Sequence, residues 1–171
     1  MTFGTYELIG SNTVSGSSTT SVTFSSIPQI YTDLQIILTS KINDTNPYYV
    51  GNLIRLNGDN GNNYYVNGMY NFYGNFTPQS TAGVDSNINV EGTFGSSTSY
   101  STAIIDILNY TSTNTFKGYV ARAGGSGVAP LVYNLKQGAW ASTSAVTSVV
   151  ISSQWIWTAG SYFALYGMRN R

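Results

Sequence analysis

The chain contains neither histidine nor cysteine, so paired acid–base chemistry would fall first to its seven carboxylates. That excludes disulfides, thiolate and imidazole metal ligands, and every Ser-His or Cys-His mechanism. The carboxylates are Glu7, Asp33, Asp44, Asp59, Asp85, Glu91 and Asp106. Two that converged on one cleft could hydrolyse a glycoside, one as acid and one as base or nucleophile. Only Asp106 sits in a strongly apolar run, IIDIL at 104–108, where burial would raise its pKa. A structural aspartate paired across a hairpin with Lys117 or Arg122 accounts for it more simply. The segment NGDNGNN at 57–63 is rich in oxygen ligands, but Asp59 is its only carboxylate and the spacing is not that of an EF-hand loop. Asn-Gly is the preferred type I′ pair, so this segment is expected to reverse the chain. The glycines at 124–127 are read as a loop and not a phosphate cradle, since no lysine and helix follow. The expectation is no enzyme: no catalytic, cofactor-binding or metal-ligating residues, and no cofactor.

The other residues with functional potential are aromatic. Tyr48, Tyr49, Tyr64, Tyr65, Tyr70 and Tyr73 crowd one segment, and Trp155 and Trp157 stand two apart near the C-terminus. Aromatic faces stack on saccharides, and tyrosines equally suit a subunit interface, giving large contact area at low entropic cost. Core or interface use is the preferred reading, with a sugar platform as the alternative. Trp155 and Trp157 are expected on one strand face, against a sheet or a neighbouring subunit, and Trp140 in the core. The Ser/Thr/Gly run 11–20 reads as a flexible loop or arm, a further contact candidate.

The elements that must carry these residues are strands. Residues 103–123 form two strand-like runs around the polar turn NYTSTN, with Ile105 and Ile107 on one face and Ile104, Asp106 and Leu108 on the other. The first run reads as an interior strand and the second as its half-exposed neighbour. Val22 and Phe24 alternate inward, as do Leu34, Ile36 and Leu38. Further strands are expected at 6–9, 53–56, 88–94, 131–135, 138–140, 145–151 and 161–168, and a strand or irregular ribbon at 64–76. Loops are expected at 43–47 and 78–86, and a turn at 95–99. About ten short strands without helical periodicity predict one all-β domain over 1–171. It is expected to be a two-sheet antiparallel β-sandwich, jelly-roll-like, with another Greek-key sandwich as the alternative.

Composition narrows the partners. Only 8% of residues are charged, against roughly a quarter in soluble domains, and the formal net charge is zero. With 42% hydrophobic and 14% aromatic residues the chain is not a disordered one. A folded surface with so little charge lacks the repulsion that keeps monomers apart, which favours life in an assembly. Nucleic acid is not an expected partner, since the seven basic residues are scattered. Nor is a membrane, since no apolar run approaches the ~20 residues of a spanning helix. The first ten residues have neither the basic nor the apolar part of a signal peptide.

Three early blocks, YELI at 6–9, VTFSSIP at 22–28 and YTDL at 31–34, resemble the opening of short virion proteins of tailed bacteriophages, cyanophages among them. IRLNGD at 54–59, NYTS at 109–112 and FALYG at 163–167 look like later blocks of that family. The resemblance implies a β-sandwich virion protein assembled in the bacterial cytoplasm. As a capsid decoration protein it would bind the major capsid protein or other virion proteins as a homo-oligomer, typically a trimer. As a tail or fibre component it would meet host glycans. The blocks bring no catalytic residues.

Overall fold

A computed structural model describes residues 5–16, 18–43, 49–72, 75–94, 100–126 and 131–169. Tyr48, Tyr73, Asp44, the turn expected at 95–99 and most of the loop expected at 43–47 lie outside them. The described chain is built of twelve strands: β1 (Thr5–Thr13), β2 (Ser21–Phe24), β3 (Asp33–Ser40), β4 (Tyr49–Leu56), β5 (Tyr64–Phe72), β6 (Asn75–Asp85), β7 (Ile88–Phe94), β8 (Ser101–Ile107), β9 (Lys117–Ser126), β10 (Leu131–Trp140), β11 (Val149–Ser152) and β12 (Tyr162–Arg169). They form an eight-stranded sheet, β1-β12-β3-β8-β9-β10-β5-β6, packed on a four-stranded sheet, β2-β11-β4-β7. Every pair is antiparallel, so the fold is the expected two-sheet sandwich.

Period-two alternation places the core. Leu34, Ile36 and Leu38 of β3, Ile105 and Ile107 of β8, and Phe163 and Leu165 of β12 point inward from the large sheet. Val22 and Phe24, Ile54 and Leu56, Ile88 and Val90, and Val149 and Ile151 meet them from the small one. A face that supplies an apolar side chain at every second position cannot slip by one residue without exposing the whole set. The β8–β9 hairpin forms as expected, with Asn109 at φ 51° in its turn. β8 lies between β3 and β9, the interior position its two apolar faces called for.

The Asn57-Gly58 pair has φ of 53° and 67°, and the Asp59 amide donates to the Leu56 carbonyl at 3.0 Å, as a type I′ turn requires. It does not close a hairpin. β4 belongs to the small sheet and β5 to the large one, so the turn begins a crossing between layers. The Asn57 side chain secures that crossing, donating to the Ala145 carbonyl at 2.8 Å and accepting from the Thr147 and Ser148 amides at 2.8 and 3.1 Å.

Four expectations are corrected. Residues 78–85 form strand β6, not a loop; Pro78 is tolerated because β6 is an edge strand. Gly124, Gly125 and Ser126 continue β9, Gly124 between β8 and β10 and the other two paired with β10, because an available ladder outweighs the backbone freedom of glycine; Gly127 lies outside the described residues. Trp155 and Trp157 do not share a strand; Trp157 makes one isolated bridge to Ile42. The run 11–20 is not an arm in its described residues. Val14 is buried and exchanges backbone hydrogen bonds with Gly160 and Ser161, while the carbonyls of Thr19 and Thr20 accept from Trp157 and Ser153.

Candidate contact surface

Over residues 133–136 strand β10 is inside out, although Trp140 farther along is buried on the same inward face as Asn134 and Lys136. The polar residues Asn134 and Lys136 are 0% and 1% exposed, while Tyr133 and Leu135 are 46% and 38% exposed. Both buried residues have interaction partners, although the Oδ1 atom of Asn134 is buried without a hydrogen bond, a desolvation cost the strand carries. An inverted strand is informative because scattered exposed apolar residues are ordinary, whereas buried polar and exposed apolar residues in alternation are not.

The register shows what surrounds the exposed side chains. Met69 on β5 stands opposite Leu135, and Asn71 stands between Tyr133 on β10 and Phe76 on β6. Met69 and Phe76 are exposed as well, Phe76 at 68%. Tyr133, Leu135, Met69 and Phe76 thus lie together on the outer face of the large sheet, away from the sandwich core. β7, an edge of the small sheet, packs over β8, β9 and β10; β5 and β6 come beyond it in the sheet order. At 75–78 consecutive residues are all exposed, so β6 is open to solvent on both faces there. Between Asn75 and Val84 this edge strand carries no charged side chain, although charge is a common device for protecting an open edge.

The aromatic residues singled out in the sequence divide. Tyr65 is half exposed on the outer face, Tyr70 is half-buried, and Trp155 is partly exposed in the loop before Trp157. Tyr49 opens β4 opposite Phe94. Tyr64 and Trp157 are corrections: both are fully buried and neither offers a contact surface. The Tyr64 hydroxyl accepts from the Leu56 amide at 3.0 Å and lies 3.2 Å from the Asp59 carbonyl, and burial pushes its pKa up to about 12. Trp157 packs on Phe163 with ring centroids 4.4 Å apart and donates through Nε1 to Asn52 at 3.1 Å. Met69 and Phe76 lie in the aromatic segment 48–76 that the sequence offers as a contact surface, whereas Tyr133 and Leu135 escaped sequence reasoning. The signal for them was the order Tyr-Asn-Leu-Lys-Gln at 133–137, which does not reveal which face looks inward.

The carboxylates that invited chemistry are engaged structurally. Asp106 accepts from Gln35 Nε2 at 2.6 Å and lies 3.8 Å from Arg122, the cross-hairpin partner expected. Lys117 is instead buried, its Nζ donating to the carbonyls of Ser112, Thr115 and Ser142 at 2.5, 2.9 and 3.3 Å. Burial lowers its pKa. Asp59 accepts from Trp140 Nε1 at 2.7 Å, Asn63 Nδ2 at 2.9 Å and the Gly61 amide at 2.8 Å. The Trp140 bond leads in holding the Asp59 carboxyl below the usual carboxylate range. Among the described residues no three acidic side chains converge as a metal site would need.

No protein-family model, curated protein or solved structure matches the chain.

Proposed function

We propose that this chain is a non-catalytic structural subunit of a bacteriophage particle, a decoration protein on the head lattice. The observation that carries the reading is the inverted strand β10, with the apolar row Tyr133, Leu135, Met69 and Phe76 on an outer face. Such a row gains by being covered, since burial is worth roughly 25 cal/mol per Å² of apolar area. Low charge and zero net charge work in the same direction. The resemblance of the six sequence blocks to short virion proteins supplies the particle.

The mechanism is mechanical. The sandwich is the rigid body, and the β5–β6 hairpin with its outer face is the part that lies across a neighbouring coat subunit or another copy of the chain. Each contact is small, and a symmetric shell repeats it. The trimer implied by the resemblance is the expected oligomer, and the virion the expected location. Quantitative mass spectrometry of purified particles tests this. Decoration requires a copy number comparable to that of the coat protein. A few copies per particle would place the chain in the tail, and absence would end the virion reading.

A further inference from the structure

On the same outer face, next to the apolar row, lies a hollow of about 550 Å³ between β5, β9 and β10. Its floor is Gly118 and Val120; Tyr65 and Leu108 are walls, and Asn67 and Gln137 border it. Three features define what it would accept. Among the described residues no charged side chain is in its lining, although Asp106 stands opposite Val120 across β8 and β9, paired with Arg122. Asn67 and Gln137 stand directly opposite each other across β5 and β10, both exposed, and neither amide makes an intramolecular hydrogen bond among the described residues. A Cβ added at Gly118 would meet nothing within 4 Å, so the floor is bare where any other residue would part-fill it.

We propose that this hollow is a binding site for a neutral oligosaccharide. Two side-chain amides side by side offer donors and acceptors in the alternation that vicinal hydroxyls require. The half-exposed Tyr65 ring and Leu108 supply apolar surface for the C–H face of a pyranose. Asp106 and Arg122 beside Val120 offset each other, so the groove offers no net charge to an anionic sugar. A second hollow of about 340 Å³ continues from it and shares Asn67, Val120 and Gln137, so the amide pair sits at the middle of the combined groove and not at its end. That favours a chain of sugar rings over one ring. Met69 and Leu135 of the apolar row line the second hollow, so a coat contact there and a sugar in the groove compete for this face; the proposal does not rest on the virion reading.

The test is saturation-transfer NMR on the full chain with maltose, cellobiose, lactose and N,N′-diacetylchitobiose, followed by titration with the hexaose of any that binds. The expected result is saturable binding of at least one disaccharide, tighter for its hexaose. Asn67→Ala/Gln137→Ala should weaken it by about tenfold or more. Gly118→Leu, filling the bare floor, should abolish it, while Phe76→Ser outside the groove leaves it unchanged. The double amide variant alters only exposed side chains and serves if Gly118→Leu folds poorly. Failure of all four sugars to bind would overturn the proposal, as would binding that survives both groove variants. So would tighter binding of a sulfated analogue, or a Gly118→Leu effect on sedimentation with none on sugar.

Discussion

Two regions of the large sheet are built from the same kind of strand and differ in what covers them. Inside the edge strand β1, whose Tyr6 and Leu8 are exposed, β12, β3 and β8 lie side by side with Leu34, Ile36, Ile105, Phe163 and Leu165 fully buried. Their side chains meet the small sheet, and loops tie back through bonds such as Val14 to Ser161 and Thr158 to Lys41. At the other end β10, β5 and β6 put apolar residues outward, and β6 leaves 75–78 exposed throughout. The difference teaches that burial of one face decides register and stability, while the composition of the uncovered face is free to serve something else. A protein needing only a stable sandwich would have polar residues at 69, 76, 133 and 135.

Substitutions should separate the two regions, and the largest effect belongs to the covered one. Trp157→Ala removes a fully buried ring and its bond to Asn52, and should destabilise by about 3–5 kcal/mol in urea unfolding. Next comes the seam between the regions. A Cβ at Gly138 would lie 1.8 Å from the Tyr65 carbonyl and 2.5 Å from the Tyr119 hydroxyl, so Gly138→Ala should cost about 1–3 kcal/mol and loosen β5 from β10. Slow amide exchange in β5 becoming fast, with β3 unchanged, is the signature to look for.

Asp59 anchors the crossing from β4 to β5, and Asp59→Ala leaves the buried Trp140 indole without its acceptor, a loss of about 1–3 kcal/mol. The same group sets an acid limb. Its folded pKa lies below its unfolded value of about 3.9, so its stabilisation is complete above about pH 4 and disappears as the pH falls through the lower folded pKa. Thermal midpoints of Asp59→Asn should fall less steeply below pH 4 than those of the parent chain. The smallest effect on stability is expected at the open end. Tyr133→Ser with Leu135→Ser should change unfolding free energy by no more than about 0.5 kcal/mol each, yet reduce incorporation into particles. Unchanged incorporation would remove the outer row from the contact.

Much of the covered region was legible because its alternation is unambiguous. Val22/Phe24 and Leu34/Ile36/Leu38 name their inward face and Asn-Gly at 57–58 names its turn, whereas both faces around Ile105/Ile107 are apolar and leave the inward one open. The division of strands between sheets was not legible, since it depends on partners far apart in sequence, such as β3 with β12 or β5 with β10. Glycines at 124 and 125 and proline at 78 concealed strand continuations, because local preference is overridden by an available ladder. Of the two adjacent tyrosines singled out, Tyr65 is exposed and Tyr64 is buried. Adjacent residues of one strand face opposite ways, and nothing local says which of two tyrosines lies inward. The inversion of β10 was hidden for the same reason.

Hydrogen exchange of the free chain and of the assembled particle tests the central claim most directly. The account predicts that amides of β6 (Asn75–Asp85) exchange rapidly in the free chain and are strongly protected in the particle, with β3 slow in both. Rapid exchange of β6 in both states, or full protection already in the free chain, would contradict it.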